Sequence, residues 1–303
     1  DLNYTRWAHE QGYKVWAMVV NNFSDAQETS RLLNSTEARE NLIRQLLVFA
    51  SLYEVDGINF DFENVLKQDK DMLTQLMREA VPLLKEQGLT VSIDVGVPDG
   101  SDTYSLCYDH QALGEIMDYV MLMTYDQHWH GSPVAGSVAQ YVWVENRLRR
   151  TLEMVPNEKL LLGIPFYSRL WEETVTTDGK VSVKTAKTPS IQGMRNIAKA
   201  SEGASITWDD VSKQFYLEYR EGDSLYRMWI EDENSLNYKT SLVLKYNLAG
   251  VCSWDYNCSD RRVWEAIYAN LKKDMTYEEW LTKYQNAQFS YYIDKPEEGE
   301  SAA

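Results

Sequence analysis

Residues 56 to 63 read Asp-Gly-Ile-Asn-Phe-Asp-Phe-Glu, and this octet holds the strongest chemical signal in the chain. It alternates with the two-residue period of a β-strand, which puts Asn59, Asp61 and Glu63 on one face and Ile58, Phe60 and Phe62 on the other. The apolar face suits packing under helices. The opposite face carries an amide and two carboxylates, and burying unpaired charge is costly. Carboxylates two positions apart on a strand stand roughly 6 to 7 Å apart at the backbone, so their heads can share a proton. Such coupling raises one pKa and keeps an acid protonated near neutral pH, able to protonate a leaving-group oxygen. The plain alternative is a polar strand end facing solvent.

A strand of this kind needs a frame to hold it. Short strand-like runs recur at 14–20, 56–63, 89–97, 119–125, 159–166 and 249–254, with helical stretches between them. One such stretch, 35–53, carries an apolar stripe at Leu42, Leu46, Leu47 and Ala50; another, 70–87, is ended by Gly88. Strand–helix alternation at this spacing predicts an α/β fold with a parallel sheet and crossover helices. In such folds the chemistry collects at the C-terminal strand ends. Here those ends carry Asn21 and Asn22, Asp61 and Glu63, Tyr125 and Asp126, Tyr167, and Trp254 with Asp255. Between the last two strands, 171–246 reads as a small α+β insertion, with a hairpin signal at Asp178-Gly179 and a returning helix near 235–246. The expected organisation is barrel over 1–170, insertion over 171–246, barrel again over 247–274, and a partly disordered tail over 275–303.

Bulk properties narrow the partners. The chain has 303 residues and a net charge of −16, which argues against nucleic acid and against anionic lipid, since both are held by clustered Lys and Arg. No apolar run approaches a membrane span, and no signal peptide is evident. The chain opens at Asp1 without a methionine, so an upstream segment is expected. The 20 Tyr and 10 Trp serve a core, and the surplus also fits a cleft that stacks on sugar rings. Cys107, Cys252 and Cys258 form neither a disulfide framework nor a zinc pattern, although Cys252 and Cys258 could bridge a loop. His110, His128 and His130 have no metal-binding spacing, and nothing implies a metal or other cofactor.

These motifs resemble glycoside hydrolase family 18, the chitinase-like barrels. The family's Asp-x-x-Asp-x-Asp-x-Glu signature on the fourth barrel strand appears as Asp56, Asn59, Asp61 and Glu63. Its sixth-strand Met-x-Tyr-Asp appears as Met123, Tyr125 and Asp126. Gly163, Ile164, Pro165 and Tyr167 match the seventh strand, and Trp254 the eighth. The resemblance covers about 1–272 and implies a TIM (β/α)8-type barrel with an insertion between strands 7 and 8. Within the family, Trp208-Asp209 and Met228-Trp229-Ile230-Glu231-Asp232 look most like the bacterial spore cortex-lytic branch, which implies an extracellular or spore-associated location. The resemblance also implies hydrolysis of β-1,4-linked N-acetylglucosamine polysaccharide, chitin or peptidoglycan, by a substrate-assisted retaining mechanism. Glu63 would be the acid and then the base, Asp61 and Tyr125 would orient the substrate's acetamido group, and Trp254 would floor the sugar. Asn59, Met123, Asp126 and Tyr167 would complete the substrate contacts.

Two departures from the family pattern shape the expectations. Asn59 stands where chitinases have an aspartate that shares a proton with the next aspartate inward, so Asp61 is expected to ionise more readily here. That substitution also motivates a rival reading, a carbohydrate-binding barrel without turnover. Second, barrel strands 1 and 2 have no candidate, so a six-stranded sheet with open edges is expected unless upstream sequence, a neighbouring chain or the tail segment 289–293 covers the gap. Asp94 shares parity with Ser92 and could point beside Asp61.

Overall fold

The computed structural model describes residues 1–201 and 203–291. In chain order its elements are α1 (Leu2–Glu10), β1 (Trp16–Val20), α2 (Ala26–Asn34), α3 (Thr36–Tyr53), β2 (Gly57–Asp61), α4 (Lys70–Glu86), β3 (Thr90–Gly96), α5 (His110–Ile116), β4 (Tyr119–Met123), α6 (Tyr141–Thr151) and β5 (Leu160–Pro165). There follow β6 (Leu170–Val175), β7 (Val181–Lys187), α7 (Ile191–Ala200), β8 (Ser205–Asp209), β9 (Gln214–Glu221), β10 (Ser224–Ile230), α8 (Glu233–Tyr246), β11 (Gly250–Trp254), α9 (Arg261–Leu271) and α10 (Tyr277–Tyr284). Every strand anticipated from the sequence is present, with ends shifted by one or two residues.

Six strands form one sheet in the order β1-β2-β3-β4-β5-β11, and five more form an antiparallel sheet in the order β7-β6-β10-β9-β8. The pairings β1–β2, β2–β3 and β3–β4 are parallel. This is the barrel-type α/β architecture without its first two strands, and β1 and β11 end the sheet. By contact density the chain divides into two compact units, Asp1–Met123 with Arg147–Leu161, and Thr124–Asn146 with the chain from Leu162 onward.

The first unit follows directly from the sequence. Ser35 caps α3 by accepting from the Ala38 N–H, Asp25 caps α2 by accepting from Gln27 and Glu28, and Gly88 takes a positive φ of 78° just past α4. In α3 the buried stripe is Ile43, Leu46 and Ala50 with Arg39. Arg39, 6% exposed, donates twice to Glu79 of α4 at 2.8 and 2.9 Å and once to the Leu33 carbonyl, which locks α3 to α4. Ile58 and Phe60 of β2 are fully enclosed beside Leu73, Leu76, Val91 and Ile93. In contrast, Tyr4 and Trp7 of α1, Met18 and Val20 of β1, and Val48, Phe49 and Leu52 of α3 are exposed apolar side chains. A cavity of about 290 Å³ opens among α1, β1 and α3, lined by Tyr4, Val15, Met18, Phe49 and Tyr53.

In the second unit β6 to β10 and α7 enclose a core of Leu170, Ile191, Met194, Phe215, Leu217, Met228 and Ile230. Phe289 and Tyr291 pack onto this core, Phe289 stacking on Trp208 with centroids 4.2 Å apart. The tail therefore joins the insertion through these two rings; of the tail 275–303 expected to be partly disordered, 292–303, including Ile293, lie outside the described residues. The bridge considered between Cys252 and Cys258 does not form: both are thiols, as is Cys107. Among the described residues no helix is long and apolar enough to cross a membrane, and no cluster of His, Cys, Asp and Glu could hold a metal ion.

Gly96 brings the loop after β3 close to the strand. A Cβ there would fall 1.7 Å from the Tyr104 carbonyl oxygen, and the Gly96 carbonyl itself is paired with His110 Nε2 at 2.9 Å. Gly96→Ala should therefore displace the segment carrying Tyr104 and Tyr108 and lower stability by about 1–3 kcal/mol, read from urea unfolding midpoints; an unchanged midpoint would show that the loop yields freely.

Candidate active site

The polar face of β2 is built as its alternation dictates. Asn59 is 7% exposed and lies opposite Ser92 of β3, while Ile58 and Phe60 fill the core behind it. Ser92 Oγ donates to Asn59 Oδ1 at 2.7 Å, and Asn59 Nδ2 donates to Asp94 Oδ2 at 2.7 Å. Both ends of the Asn59 amide are thus assigned, and Asp94 is drawn onto the same face. Asp61 follows at the strand end. Its Oδ1 is buried and accepts no hydrogen bond among the described residues, and burial pushes its carboxyl above the usual range. Asp94 is pushed up to about 7, first by burial and then by the charges of Asp61 and Glu63, with the Asn59 hydrogen bond opposing the rise. Burial thus acts on Asp61 in the direction opposite to the loss of a like-charged neighbour at position 59. Asn59 removes one carboxylate from β2, and Asp94 brings one to the same face from the neighbouring strand.

Beyond the strand, the backbone at Glu63 is clamped. Asn21, just past β1, accepts from the Glu63 N–H at 2.9 Å and donates to the Glu63 carbonyl at 2.8 Å, and is itself held by Thr29. Asn64 continues with a positive φ of 50° and donates to the Phe23 carbonyl. Tyr108, 4% exposed, donates its hydroxyl to the Phe62 carbonyl at 2.7 Å. Its phenol is held far above the usual range, mainly by burial and further by Cys107, Glu63, Asp61 and Asp94, so it serves as a neutral donor. Asp56, the first residue of the signature, sits at the opposite end of β2. There it accepts from the Val15 N–H at 2.7 Å and pairs with His9 at 2.8 Å. Burial would raise its pKa, yet these partners hold it below the usual range. Its role is to tie α1 to the sheet. Met123 closes β4, paired with Gly96.

The second unit holds the remaining expected residues. Tyr125 and Tyr167 meet edge to face, with centroids 6.4 Å apart. Asp126 has a positive φ of 55° and accepts from Arg169 Nη2 at 2.7 Å. Arg169, 7% exposed, also donates to Thr188 and lies over the Tyr167 ring at 5.5 Å. Burial, with Asp126 alongside, holds the Tyr167 phenol far above its usual range. Trp254 ends β11 with nearly half its surface exposed, and its carbonyl accepts from the Phe166 N–H at 2.8 Å. Its peptide bond to Asp255 is cis. His128 and His130 occupy loop positions, His128 bonded to the Ser137 carbonyl.

Sequence reasoning missed Tyr108, Arg169 and the Asn21 clamp. Tyr108 lies in a segment without periodicity, whereas Arg169 follows Tyr167 at the spacing of two that already marked the octet. Asn21 was visible as a polar strand end, but its partner is 42 residues away. Removing it by Asn21→Ala leaves the Glu63 N–H and carbonyl without their partner, and stability should fall by about 1–3 kcal/mol in denaturant titration. An unaltered midpoint would mean that water replaces the clamp.

The model for Glycosyl hydrolases family 18 matches residues 3–258. Similar proteins include the uncharacterized glycosylase YvbX of Bacillus subtilis (strain 168), 26% identical over 88% of this chain and 77% of that protein. A cortical fragment-lytic enzyme of the same organism is 26% identical over 82% of this chain, which spans 58% of its length. A crystal structure of a chitinase from Chromobacterium violaceum superposes with a TM-score of 0.78 at 24% identity, covering 89% of this chain and 84% of the other, and supports the fold alone.

Proposed function

The chain belongs to glycosyl hydrolases family 18, and on that footing we propose that it cleaves β-1,4 linkages in N-acetylglucosamine-containing polysaccharide by a substrate-assisted, retaining route. The observation that carries this reading is the carboxyl cluster of β2 and β3. Folding encloses Asp61 and Asp94 beside Glu63 and leaves Asp61 Oδ1 with no donor, an expense with no structural return. A substrate acetamido N–H is the donor that Oδ1 lacks.

In the proposed reaction Glu63 protonates the glycosidic oxygen while the substrate's own acetamido carbonyl attacks the anomeric carbon. The leaving sugar departs with the proton, and an oxazolinium intermediate remains. Asp61 accepts from the acetamido N–H and balances the positive charge that develops there. By the motif each occupies, Tyr125 donates to the acetamido carbonyl and fixes its line of attack, and Trp254 offers an apolar face to the sugar ring. Asn59, Met123, Asp126 and Tyr167 complete the setting, Asp126 being aimed by Arg169. Water then adds to the anomeric carbon as Glu63 takes its proton, which restores the acid and retains configuration. Similarity to a cortical fragment-lytic enzyme favours peptidoglycan glycan over chitin, and a spore- or wall-associated site of action.

Turnover of chitooligosaccharides and of peptidoglycan glycan strands tests the reading. Glu63→Gln should lose about 10²–10⁴-fold in kcat with little change in substrate binding. De-N-acetylated oligosaccharide, which lacks the internal nucleophile, should resist cleavage by the wild-type protein. The rival reading draws on Asn59: binding of both glycans without cleavage by either protein would establish a carbohydrate-binding barrel instead.

A further inference from the structure

We propose that Asp94 is a positioning residue of this site: gripped by Asn59, it stores a proton on the neighbouring strand and so fills the place of the aspartate that Asn59 replaces. The proposal rests on the glycosidase reading of Glu63 and Asp61, and it concerns a side chain outside the family's strand signature.

The geometry is a relay with fixed polarity. Ser92 Oγ donates to Asn59 Oδ1, so the amide presents Nδ2 to Asp94, whose Oδ2 accepts at 2.7 Å. With Oδ2 occupied as an acceptor, a proton on this carboxyl belongs on Oδ1. The register pairs Asn59 with Ser92 and Phe60 with Ile93, and one further step along the ladder sets Asp61 beside Asp94. Same-face neighbours across a strand pair have Cβ atoms about 5 Å apart, within reach of carboxyl heads. Two half-enclosed carboxyls at that spacing cannot both ionise cheaply. Asn59 fixes the orientation of Asp94, and burial beside Asp61 and Glu63 keeps that carboxyl neutral against the pull of the Asn59 N–H, while Asp61 Oδ1 is left without a donor and available to a ligand.

The charged and titratable groups around Asp94 in this unit are few. Asp61 and Glu63 face it from β2 and the residues just past it. Tyr108 approaches from the loop after β3 as a neutral phenol, and the β4 neighbour, Met121, does not ionise. Nothing cationic among these offsets a third negative charge. Asp94 therefore keeps its proton up to about pH 7 and ionises above it. Below that point the cluster carries one charge fewer, and Asp61 can be anionic toward the substrate. Above it a further anion stands beside Asp61 and Glu63. The proton on Asp94 is not consumed in the reaction.

Two variants and two readouts test this. Asp94→Ala removes the acceptor of Asn59 and should lower kcat about tenfold or more with a smaller change in KM. Asp94→Asn restores a neutral acceptor and should recover most of that loss below pH 7. It should also move the alkaline limb of the kcat profile down by about one pH unit, because the extra anion can no longer form. The second readout needs no substrate. A carboxyl whose folded pKa lies above its unfolded one binds more protons when folded, so its contribution to stability falls as pH rises from about 4 to 7. The Tm of Asp94→Asn relative to wild type should therefore climb by several degrees across that window. A Tm difference that stays flat with pH, or superimposable profiles in an active enzyme, would overturn the proposal. Absence of turnover in wild type together with a climbing difference would instead overturn the glycosidase reading, and leave the stored proton of Asp94 established.

Discussion

The constraint on which the first unit turns is the cost of enclosing acid on a β-strand. Ile58, Phe60 and Phe62 commit one face of the octet to the core, and the period of two then forces Asn59, Asp61 and Glu63 to the other. A protein could relieve that face by opening it to water or by bringing up a cation. Instead, Ser92, Asn59 and Asp94 form a chain of hydrogen bonds that engages both ends of the amide and one oxygen of Asp94 while leaving Asp61 Oδ1 unmatched. The arrangement makes sense where a ligand supplies what the fold withholds.

Much of the remaining machinery holds backbone rather than side chains. The segment leaving β2 must turn sharply, and Asn64 enters the left-handed region to do so. Asn21 grips Glu63 by both its N–H and its carbonyl, and Tyr108 secures the Phe62 carbonyl from beneath. Two side chains distant in sequence, Asn21 and Tyr108, thus determine where one carboxyl begins its reach. In the second unit Arg169 performs the comparable task for Asp126, another residue with positive φ that costs energy to hold. Such local expense at strand ends is where α/β proteins place their chemistry.

Substitution within the signature illustrates how position and chemistry can be separated. Asn59 cannot titrate, so the proton-sharing expected of paired aspartates along one strand is absent. Asp94 places a carboxyl on the adjacent strand, two residues past the register partner of Asn59, with burial as the dominant influence on its ionisation. The number of acidic groups on the face is preserved although their arrangement differs.

The amino-acid sequence by itself determined the parallel strands, the helices between them, the insertion and the two faces of β2, since each depends on a local period, a cap or a breaker acting over a few residues. It also carried the family, because the octet, Tyr125, Asp126, Tyr167 and Trp254 stand at strand ends in the right order. The partners of those residues were decided only by tertiary structure. Whether Asn59 meets Asp94, whether Asn21 clamps Glu63 and whether Phe289 packs on Trp208 all depend on register and docking between segments far apart in the chain. Hydrogen bonds of that kind leave no periodic trace, and desolvation, which sets the carboxyl pKa values, exists only once the neighbours have closed in.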